Sequence, residues 1–433
     1  MLIEMSNPPN GHVRVLYVVM LVLYILGASF SSILTVAGLL MTVYVIVRGR
    51  RQTIIEVMVV LSSFAGIMKV SGQYTLYNLL FVVAILRLLW LDRLRVSTRF
   101  LTFSIVIAIV STTGLFFSEV DTVFGTISFL AGLIFAGLAV ADTSLYDIRA
   151  IVRLFAFGII VSSVVFMLRD YLPGIREYVR YATHKMDSGA RLVRFSGLIG
   201  NPNHYTLLLS LAIMGLLAYL VAGRGNKIDA ILLIVLLAFG IYSLSKSFFL
   251  GLLFSILIAI THLLKNVSWR LAKFTIIIAI ICLVLVQIVN VEYIDALITR
   301  VFVVERLDVN YYTTGRVAFF RMYIEFMIEN LRVLFLGNGL FNPLERDSHS
   351  FYIETIYSLG LIGTFMVVLT YFGLSKRGLR SRKTPKRSLL NYAPLLVFLF
   401  RGLAINVLLS IVFPVYLVII TLFIGEDLSV DSH

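Results

Sequence analysis

The sequence contains a single cysteine and lacks the common motifs of soluble enzymes. Cys282 lies within an apolar run, so an intrachain disulfide is excluded. The motifs GxxxxGKS/T, HExxH and CxxC and the nucleophile elbow GxSxG are all missing. Nucleotide hydrolysis on a phosphate-binding loop and zinc chemistry therefore have no support in the sequence, and we expect no metal and no cofactor.

Charge is also scarce. Charged residues make up 14% of the 433 residues, whereas a soluble domain has roughly 25%, and 60% of the chain is hydrophobic. The mean hydropathy is +0.97. The apolar residues form runs of about 17 to 20 residues, the length at which a helix spans a bilayer. These features predict an all-α polytopic membrane protein in which residues 1–433 form a single transmembrane domain.

The apolar runs predict about 14 transmembrane helices, with about 12 to 14 compatible with the pattern. They lie near residues 15–29, 31–47, 54–70, 74–91, 100–117, 123–141, 151–168, 204–222, 228–244, 248–264, 274–290, 352–374, 389–405 and 407–424. Residues 15–47 are continuous in hydropathy, and only the serines around Ser31 indicate a hairpin there. A single long tilted helix over 15–47 is the alternative, and it would reverse the orientation of everything that follows.

The basic residues predict which side of the membrane each connection occupies. They are concentrated on alternate connections, at Arg48–Arg51, Arg93–Arg99, Arg149–Arg153, Arg224–Lys227, Lys265–Lys273 and in the basic loop 375–388. By the positive-inside rule these connections are cytoplasmic, and an even number of spans places both termini there too. The net charge of +14 therefore reflects topology, and we expect no nucleic-acid partner. The N-terminus lacks the features of a cleaved signal peptide, so we expect the first span to be retained.

Two long connections, 169–203 and 291–351, lie on the external side and are nevertheless rich in arginine. In the first, Arg176, Arg180 and His184 have the spacing of one stripe on an interfacial helix that starts near Pro173. A solvated helix face is the simpler explanation of that stripe. Arg191 and Arg194 follow, before a Gly- and Asn-rich turn that leads into the next span.

The second loop contains a predicted amphipathic helix in the segment TTGRVAFFRMYIEFMIENL. Arg321 and Glu325 have the spacing of a helix-stabilising ion pair. Arg316 stands in the first turn, where amide groups and a guanidinium can together bind phosphate. His349 precedes the next span, and a histidine that caps a span at the membrane boundary is its simpler explanation.

Two further cations lie at the predicted outer boundary of the membrane. Lys246 stands in LSKSFFLG, between two spans with almost no loop, where a snorkelling lysine is the ordinary alternative. Arg401 lies within the penultimate run near its outer end, where an arginine requires a partner or a polar cavity. Both are candidates for the same external site.

At these residues the chain resembles the O-antigen polymerase and O-antigen ligase superfamily of bacterial membrane glycosyltransferases. The matching pieces are RFSGLIGNPNHY, SLSKSFFLG, TGRVAFFRMYIEFM followed by LGNGL, and DSHSFYIETIYSLGLIG, in family order from about residue 190 to 375. The resemblance implies a membrane glycosyltransferase C-type fold, with amphipathic helices in the two external loops and a catalytic lid in 291–351. Lys246 is a departure, because the family usually has arginine there.

The resemblance also implies a function and a site. Members transfer a glycan from undecaprenyl pyrophosphate to an acceptor sugar, in the inner membrane and on its periplasmic or extracellular face. The catalytic base would be His349, with Asp347 and Glu354 as rival bases. The residues that hold the donor pyrophosphate would be Arg194, Lys246 and Arg316. Arg191 and Arg401 are further candidates for this role because of their charge and position, not because of the resemblance. Such a mechanism is metal-independent and inverts the anomeric carbon.

The sequence leaves three functions open. The first is polymerisation of an O-antigen or capsule polysaccharide, with lipid-linked repeat units and membrane lipids as partners and possible control by a chain-length regulator. The second is ligation of the glycan to lipid A core, because the superfamily signature is shared. The third is a flippase for lipid-linked oligosaccharides, although transporters usually place their charges near the midplane and in two related halves. A non-catalytic scaffold or receptor fits the basic loops less well.

Overall fold

The chain folds into a bundle of apolar helices. The computed structural model describes residues 11–71, 74–92, 97–115, 122–141, 146–179, 183–185, 191–264, 315–344, 348–381, 388–426 and 428. Within them, five helices are long and apolar enough to cross a membrane, and six shorter helices are similarly apolar. The class of helical membrane protein is thus confirmed, whereas the count of about 14 spans remains a prediction. The predicted span 274–290, with Cys282, lies outside the described residues.

The helices follow the apolar runs closely in the first half of the chain. They are α1 (Gly11–Phe30), α2 (Ser32–Arg48), α3 (Arg51–Ser62), α4 (Leu76–Leu91), α5 (Thr98–Leu115), α6 (Thr122–Val140), α7 (Ile148–Met167) and α8 (Pro173–Tyr178). Residues 15–47 form two helices, because the chain turns at Ser31 with extended backbone angles. The hydroxyls of Tyr24 and Thr42 meet at 3.1 Å across this hairpin.

The second half contains the helices that build the candidate site. They are α9 (Pro202–Val221), α10 (Lys227–Tyr242), α11 (Lys246–Leu264), α12 (Arg316–Glu329), α13 (Leu331–Leu336), α14 (Phe351–Ser381), α15 (Leu389–Gly402) and α16 (Phe413–Ile424). There are also two antiparallel hairpins, with β1 (Lys69–Ser71) paired to β2 (Tyr74–Thr75) and β3 (Thr183–Lys185) paired to β4 (Arg191–Val193). Two short 3-10 helices, Arg169–Tyr171 and Gly197–Ile199, complete the described elements.

Helix α9 is the centre of the bundle. It is apolar on all sides and is buried almost throughout, as expected of a helix that is surrounded by others. It packs against α7, α10, α11 and α15. Apolar side chains on the outer faces of α10, α11 and α14 remain exposed, and a lipid environment would cover them.

Contacts between helix termini define two ends of the bundle. We define the site end as the end of the bundle at which α9 and α11 begin and at which α10 and α15 terminate. At the opposite end, the buried Asp229 carboxylate of α10 accepts hydrogen bonds of 2.6 Å from both Arg149 and Arg153 of α7. There, Arg51 pairs with Asp92, joining the start of α3 to the residue that follows α4. Arg51, Arg149 and Arg153, three of the arginines that predict the cytoplasmic side, thus lie at one end of the bundle.

Two predicted spans extended too far. Helix α3 ends at Ser62, short of residue 70, and the hydroxyls of Ser62 and Ser63 bond to the carbonyls of Val59 and Val60. These side chains satisfy the last carbonyls of the helix and favour its end. The last run, 407–424, is helical only from Phe413, because Asn406 accepts a bond from the Leu408 N–H in a local turn.

The predicted interfacial helix in the first external loop begins at Pro173 as expected, but its extension to His184 was wrong. Helix α8 ends at Tyr178, and His184 lies in strand β3, where it pairs with Leu192. Arg176 is exposed on α8, and Arg180 lies outside the described residues. Val179 takes extended backbone angles, so the chain leaves the helix before the stripe is complete. A hairpin partner, which helical periodicity cannot reveal, determined the local structure.

Candidate functional site

The segment before α9 and the first turn of α9 bring Arg194 and His204, respectively, to the site end. Asn201 caps α9, since its Oδ1 accepts the backbone N–H groups of Asn203 and His204 at 2.9 and 3.4 Å, and Pro202 occupies the first turn. The Phe195 ring stacks on the Phe239 ring, and the Phe195 backbone N–H donates a hydrogen bond of 3.4 Å to the Tyr242 carbonyl. Arg194 is therefore held half-buried beside the last turn of α10.

The short turn between α10 and α11 places Lys246 at the same end. Leu244 has a left-handed φ of 49°, which lets the chain reverse within three residues. The Ser245 hydroxyl donates to the Asn203 side chain at 3.2 Å and lies 2.9 Å from the Ser247 hydroxyl. The turn is thereby fixed to the start of α9, and Lys246 begins α11 half-buried.

Arg401 is completely buried between α9, α11 and α15, with 2% of its surface exposed. Its Nη1 donates to the Thr206 carbonyl and to the Ser210 hydroxyl, and its Nη2 donates to the hydroxyls of Thr206 and Ser247 at 2.7 and 3.0 Å. Gly251 leaves room for the side chain, since an added Cβ would lie 2.9 Å from the Arg401 Cδ. The guanidinium thus joins three helices immediately below Lys246.

The second external loop packs His349 against α12. The Phe319 and His349 rings meet edge to face at 6.1 Å. His349 has a left-handed φ of 56° and is exposed. The buried Ser348 before it donates its N–H to the Glu354 carboxylate at 3.2 Å. This anchor to α14 presents the imidazole at the loop surface.

His204, for which the sequence motifs predict no role, also lies at the site end, in the first turn of α9. The charges of Arg401 and His349 are both close enough to act on the His204 imidazole. Arg401 donates to the Asn203 carbonyl, next to His204, and to the Ser247 hydroxyl, next to Lys246, so these residues are grouped at the site end. The signal for His204 was present in NPNHY, where the capping Asn201 places it in the first turn of a span.

Arg316 lies in the first turn of α12, after Gly315 with its left-handed φ of 80°. Burial lowers the pKa of its guanidinium, which remains a cation at neutral pH. Within the described part of the chain, Arg316 makes no hydrogen bond or ion pair, and a half-desolvated cation of this kind favours an anionic ligand. Phe319 on the same helix meets His349, so Arg316 lies near the base candidate.

The remaining residues that the sequence predicted for the site are Arg191, Glu354 and Asp347. Arg191 starts strand β4 opposite Lys185 and leads to Arg194. Glu354, a rival base, is buried at 1% exposure beneath the loop. Asp347, the other rival, lies outside the described residues. The described site therefore combines one exposed imidazole with several cations, an arrangement suited to binding a phosphate group beside a proton acceptor.

Comparisons with known proteins do not identify the chain. Neither the profiles of known families, nor the curated proteins, nor the solved structures contain a match to it. The resemblance to the O-antigen polymerase and ligase superfamily therefore rests on the motifs between about residue 190 and residue 375.

Proposed function

We propose that this chain is a glycosyltransferase that polymerises a bacterial surface polysaccharide of the O-antigen or capsule type. It takes a glycan from undecaprenyl pyrophosphate and transfers it to the non-reducing end of a second lipid-linked repeat unit. The site end faces the periplasmic or extracellular side of the cytoplasmic membrane, where the lipid-linked donor is presented.

The observation that carries this proposal is the grouping of His349, His204, Lys246 and Arg401 at one end of the bundle. His349, His204 and Lys246 come from three separate motifs. Arg401 bonds the Asn203 carbonyl beside His204 and the Ser247 hydroxyl beside Lys246, and the charge of His349 acts on His204. Arg194 reaches the same end beside Tyr242. A cluster of cations beside an exposed imidazole at the membrane boundary fits a lipid pyrophosphate and a hydroxyl acceptor.

The reaction assigns one task to each group. The imidazole of His349 takes the proton from the acceptor hydroxyl while its oxygen attacks the anomeric carbon of the donor. The bond between that carbon and the pyrophosphate oxygen breaks on the opposite face, which inverts the configuration. Arg194, Lys246 and Arg316 stabilise the negative charge that develops on the departing undecaprenyl pyrophosphate.

Glu354 has a different task in this proposal. Its carboxylate is buried and accepts the Ser348 N–H, so it orients the loop that carries His349. Arg401 likewise contacts no solvent and acts through Ser247 and Thr206. We therefore assign both as positioning residues, and we reserve the proton transfer for His349.

The test uses the full chain in proteoliposomes supplied with the undecaprenyl-pyrophosphate repeat unit from the cells that express it. We expect longer lipid-linked glycans and released undecaprenyl pyrophosphate, and we expect His349→Ala to lose about 100-fold or more in rate, the contribution typical of a general base. Lys227→Gln is the control, because Lys227 is exposed at the opposite end.

Three outcomes would contradict the proposal. Polymer of normal length made by a correctly inserted His349→Ala variant would show that His349 is not the base. Transfer only to added lipid A core would identify a ligase. Movement of the lipid-linked unit across the vesicle without formation of a new bond would identify a transporter.

A further inference from the structure

A groove runs along the outer face of α12. Its volume is about 610 Å³, within the range of small-molecule sites, and it is open to the outside along much of its length. Arg321, Glu325 and Glu329 line it as a polar stripe, and Met322, Phe326 and Leu344 supply apolar surface. None of the six was among the residues predicted to bind the donor pyrophosphate or to act as base.

The polar groups of the groove are available to a ligand. The predicted ion pair between Arg321 and Glu325 is absent, which corrects the sequence-based expectation: among the described residues neither side chain takes part in a salt bridge. Both are exposed, and in water the small gain of such a pair does not offset the cost of ordering two long side chains. Glu329 is exposed on the same stripe.

The lining fits a saccharide better than a phosphate. Carboxylates accept hydrogen bonds from hydroxyl groups and a guanidinium donates to them, while the Phe326 ring and Met322 can cover the apolar face of a sugar ring. Two carboxylates and one guanidinium leave excess negative charge, which repels pyrophosphate. The groove thus differs in chemistry from the cationic cluster at the site end.

The direction of the groove connects it to that cluster. It begins at Val317, directly after Arg316 and close to Phe319, whose ring meets His349. It continues to Glu329, a helix length of about 18 Å at 1.5 Å per residue. A glycan whose pyrophosphate lies at Arg316 would therefore extend along this groove, away from the bond that breaks.

We propose that the α12 groove binds the glycan chain of the lipid-linked donor. This inference rests on the proposed function, because the donor is the ligand named there. The occupant is an uncharged saccharide of a few rings, held by Arg321, Glu325 and Glu329.

The experiment measures binding, so that it does not depend on catalysis. The probe is the lipid-free oligosaccharide released by mild acid from the lipid-linked repeat unit of the expressing cells, added to the full chain in nanodiscs and followed by saturation-transfer NMR. Replacing Glu325 and Glu329 together by alanine should weaken binding by about tenfold or more, because each removes hydrogen bonds to a charged acceptor. Inorganic pyrophosphate, the second probe, should bind the double variant as it binds the wild type.

Glu177→Ala provides the matched control, since Glu177 is an exposed carboxylate on α8, outside the groove. Unchanged oligosaccharide affinity in the double variant, or no binding to the wild type, would overturn the inference even if the protein polymerises glycan. Oligosaccharide binding at the groove by a protein that forms no polymer would instead contradict the proposed function and leave the groove assignment standing.

Discussion

At the scale of single residues, Arg401 shows how this bundle accommodates a buried cation. Four of its five described hydrogen bonds go to Thr206, Ser210 and Ser247, and the fifth goes to the Asn203 carbonyl at 3.4 Å. These acceptors are hydroxyl and carbonyl oxygens from α9 and α11. Arg401 therefore serves as a joint between helices, and Lys246 beside Ser247 depends on it for position.

Replacing Arg401 by methionine should destabilise the protein and reduce transfer. Each buried acceptor left without a donor costs about 1–3 kcal/mol, and the turn that carries Lys246 loses its anchor. We expect a clear fall in the melting temperature in detergent and a lower polymerisation rate. Leu403→Ala, a change in the residue just after α15 whose side chain is 56% exposed, leaves these bonds intact and should melt like the wild type. A stable and fully active Arg401→Met would contradict the positioning role.

Lys246 allows a test of pyrophosphate binding by charge alone. Lys246→Gln removes the cation and should weaken donor binding by about tenfold, the worth of one charge-assisted hydrogen bond. Lys246→Arg keeps the charge and adds a bidentate fork, so donor affinity should be retained or increased. The measurement is the KM for the lipid-linked donor in proteoliposomes, with Lys227→Gln as the distant control. Equal KM values for the wild type, Lys246→Gln, Lys246→Arg and Lys227→Gln would show that Lys246 does not bind the donor.

At the scale of elements, close backbone contacts at Gly337 and Gly360 hold the second external loop against α14. Gly360 interrupts α14 with a φ of +70°, and a Cβ there would lie 2.3 Å from the Phe335 carbonyl oxygen. A Cβ added to Gly337, at the end of α13, would similarly lie 2.4 Å from the Ser358 carbonyl oxygen. The Asn338 and Gly339 N–H groups then donate to the carbonyls of Tyr357 and Ser358. This contact supports the segment that ends at His349.

Gly360→Ala should therefore separate α13 from α14. Alanine is strained at this φ and its Cβ has no space, so we expect a loss of about 1–3 kcal/mol in stability and a reduced polymerisation rate. Gly373→Ala is the matched control on the same helix, because a Cβ there meets nothing within 4 Å. It should be neutral or slightly stabilising, since alanine favours a helix over glycine. Identical melting temperatures for the two variants would contradict the close packing.

At the scale of the whole molecule, the two ends of the bundle differ in whether their charged side chains are paired with one another or exposed. The opposite end holds compact ion pairs, such as Asp229 with Arg149 and Arg153, which tie α7 to α10. The site end holds His349, Arg316 and Lys246, which are exposed or half-buried. This separation agrees with a structural role for the first end and a binding role for the second.

The proposed orientation can be measured by cysteine accessibility. In a Cys282→Ser background, Pro343→Cys reports on the site end and Lys227→Cys on the opposite end, because both positions are exposed. A membrane-impermeant maleimide should label Pro343→Cys in intact spheroplasts and label Lys227→Cys only after permeabilisation. The positive-inside rule is the physical basis of this expectation. The reverse pattern would place the site end in the cytoplasm.

The amino-acid sequence alone determined the class of the fold and most helix positions. Runs of apolar residues long enough to span a bilayer have few alternatives to a helix, because backbone groups in lipid must bond within the segment. The helices α7, α9 and α11 accordingly lie where hydropathy placed them. Helix ends were less predictable, as at α3, because side chains such as those of Ser62 and Ser63 terminate helices locally.

Only the tertiary structure decided which of the candidate residues meet. Residues 204, 246, 349 and 401 are far apart in sequence, and no periodicity relates a residue in one helix to its neighbour in another. The packing of α9 against α11 and α15 buried Arg401 as a joint between helices, beside Asn203 and Ser247, and left Lys246 half-buried. Hydropathy specifies where a helix crosses the membrane, whereas contacts between helices depend on the packing of side chains along their whole lengths.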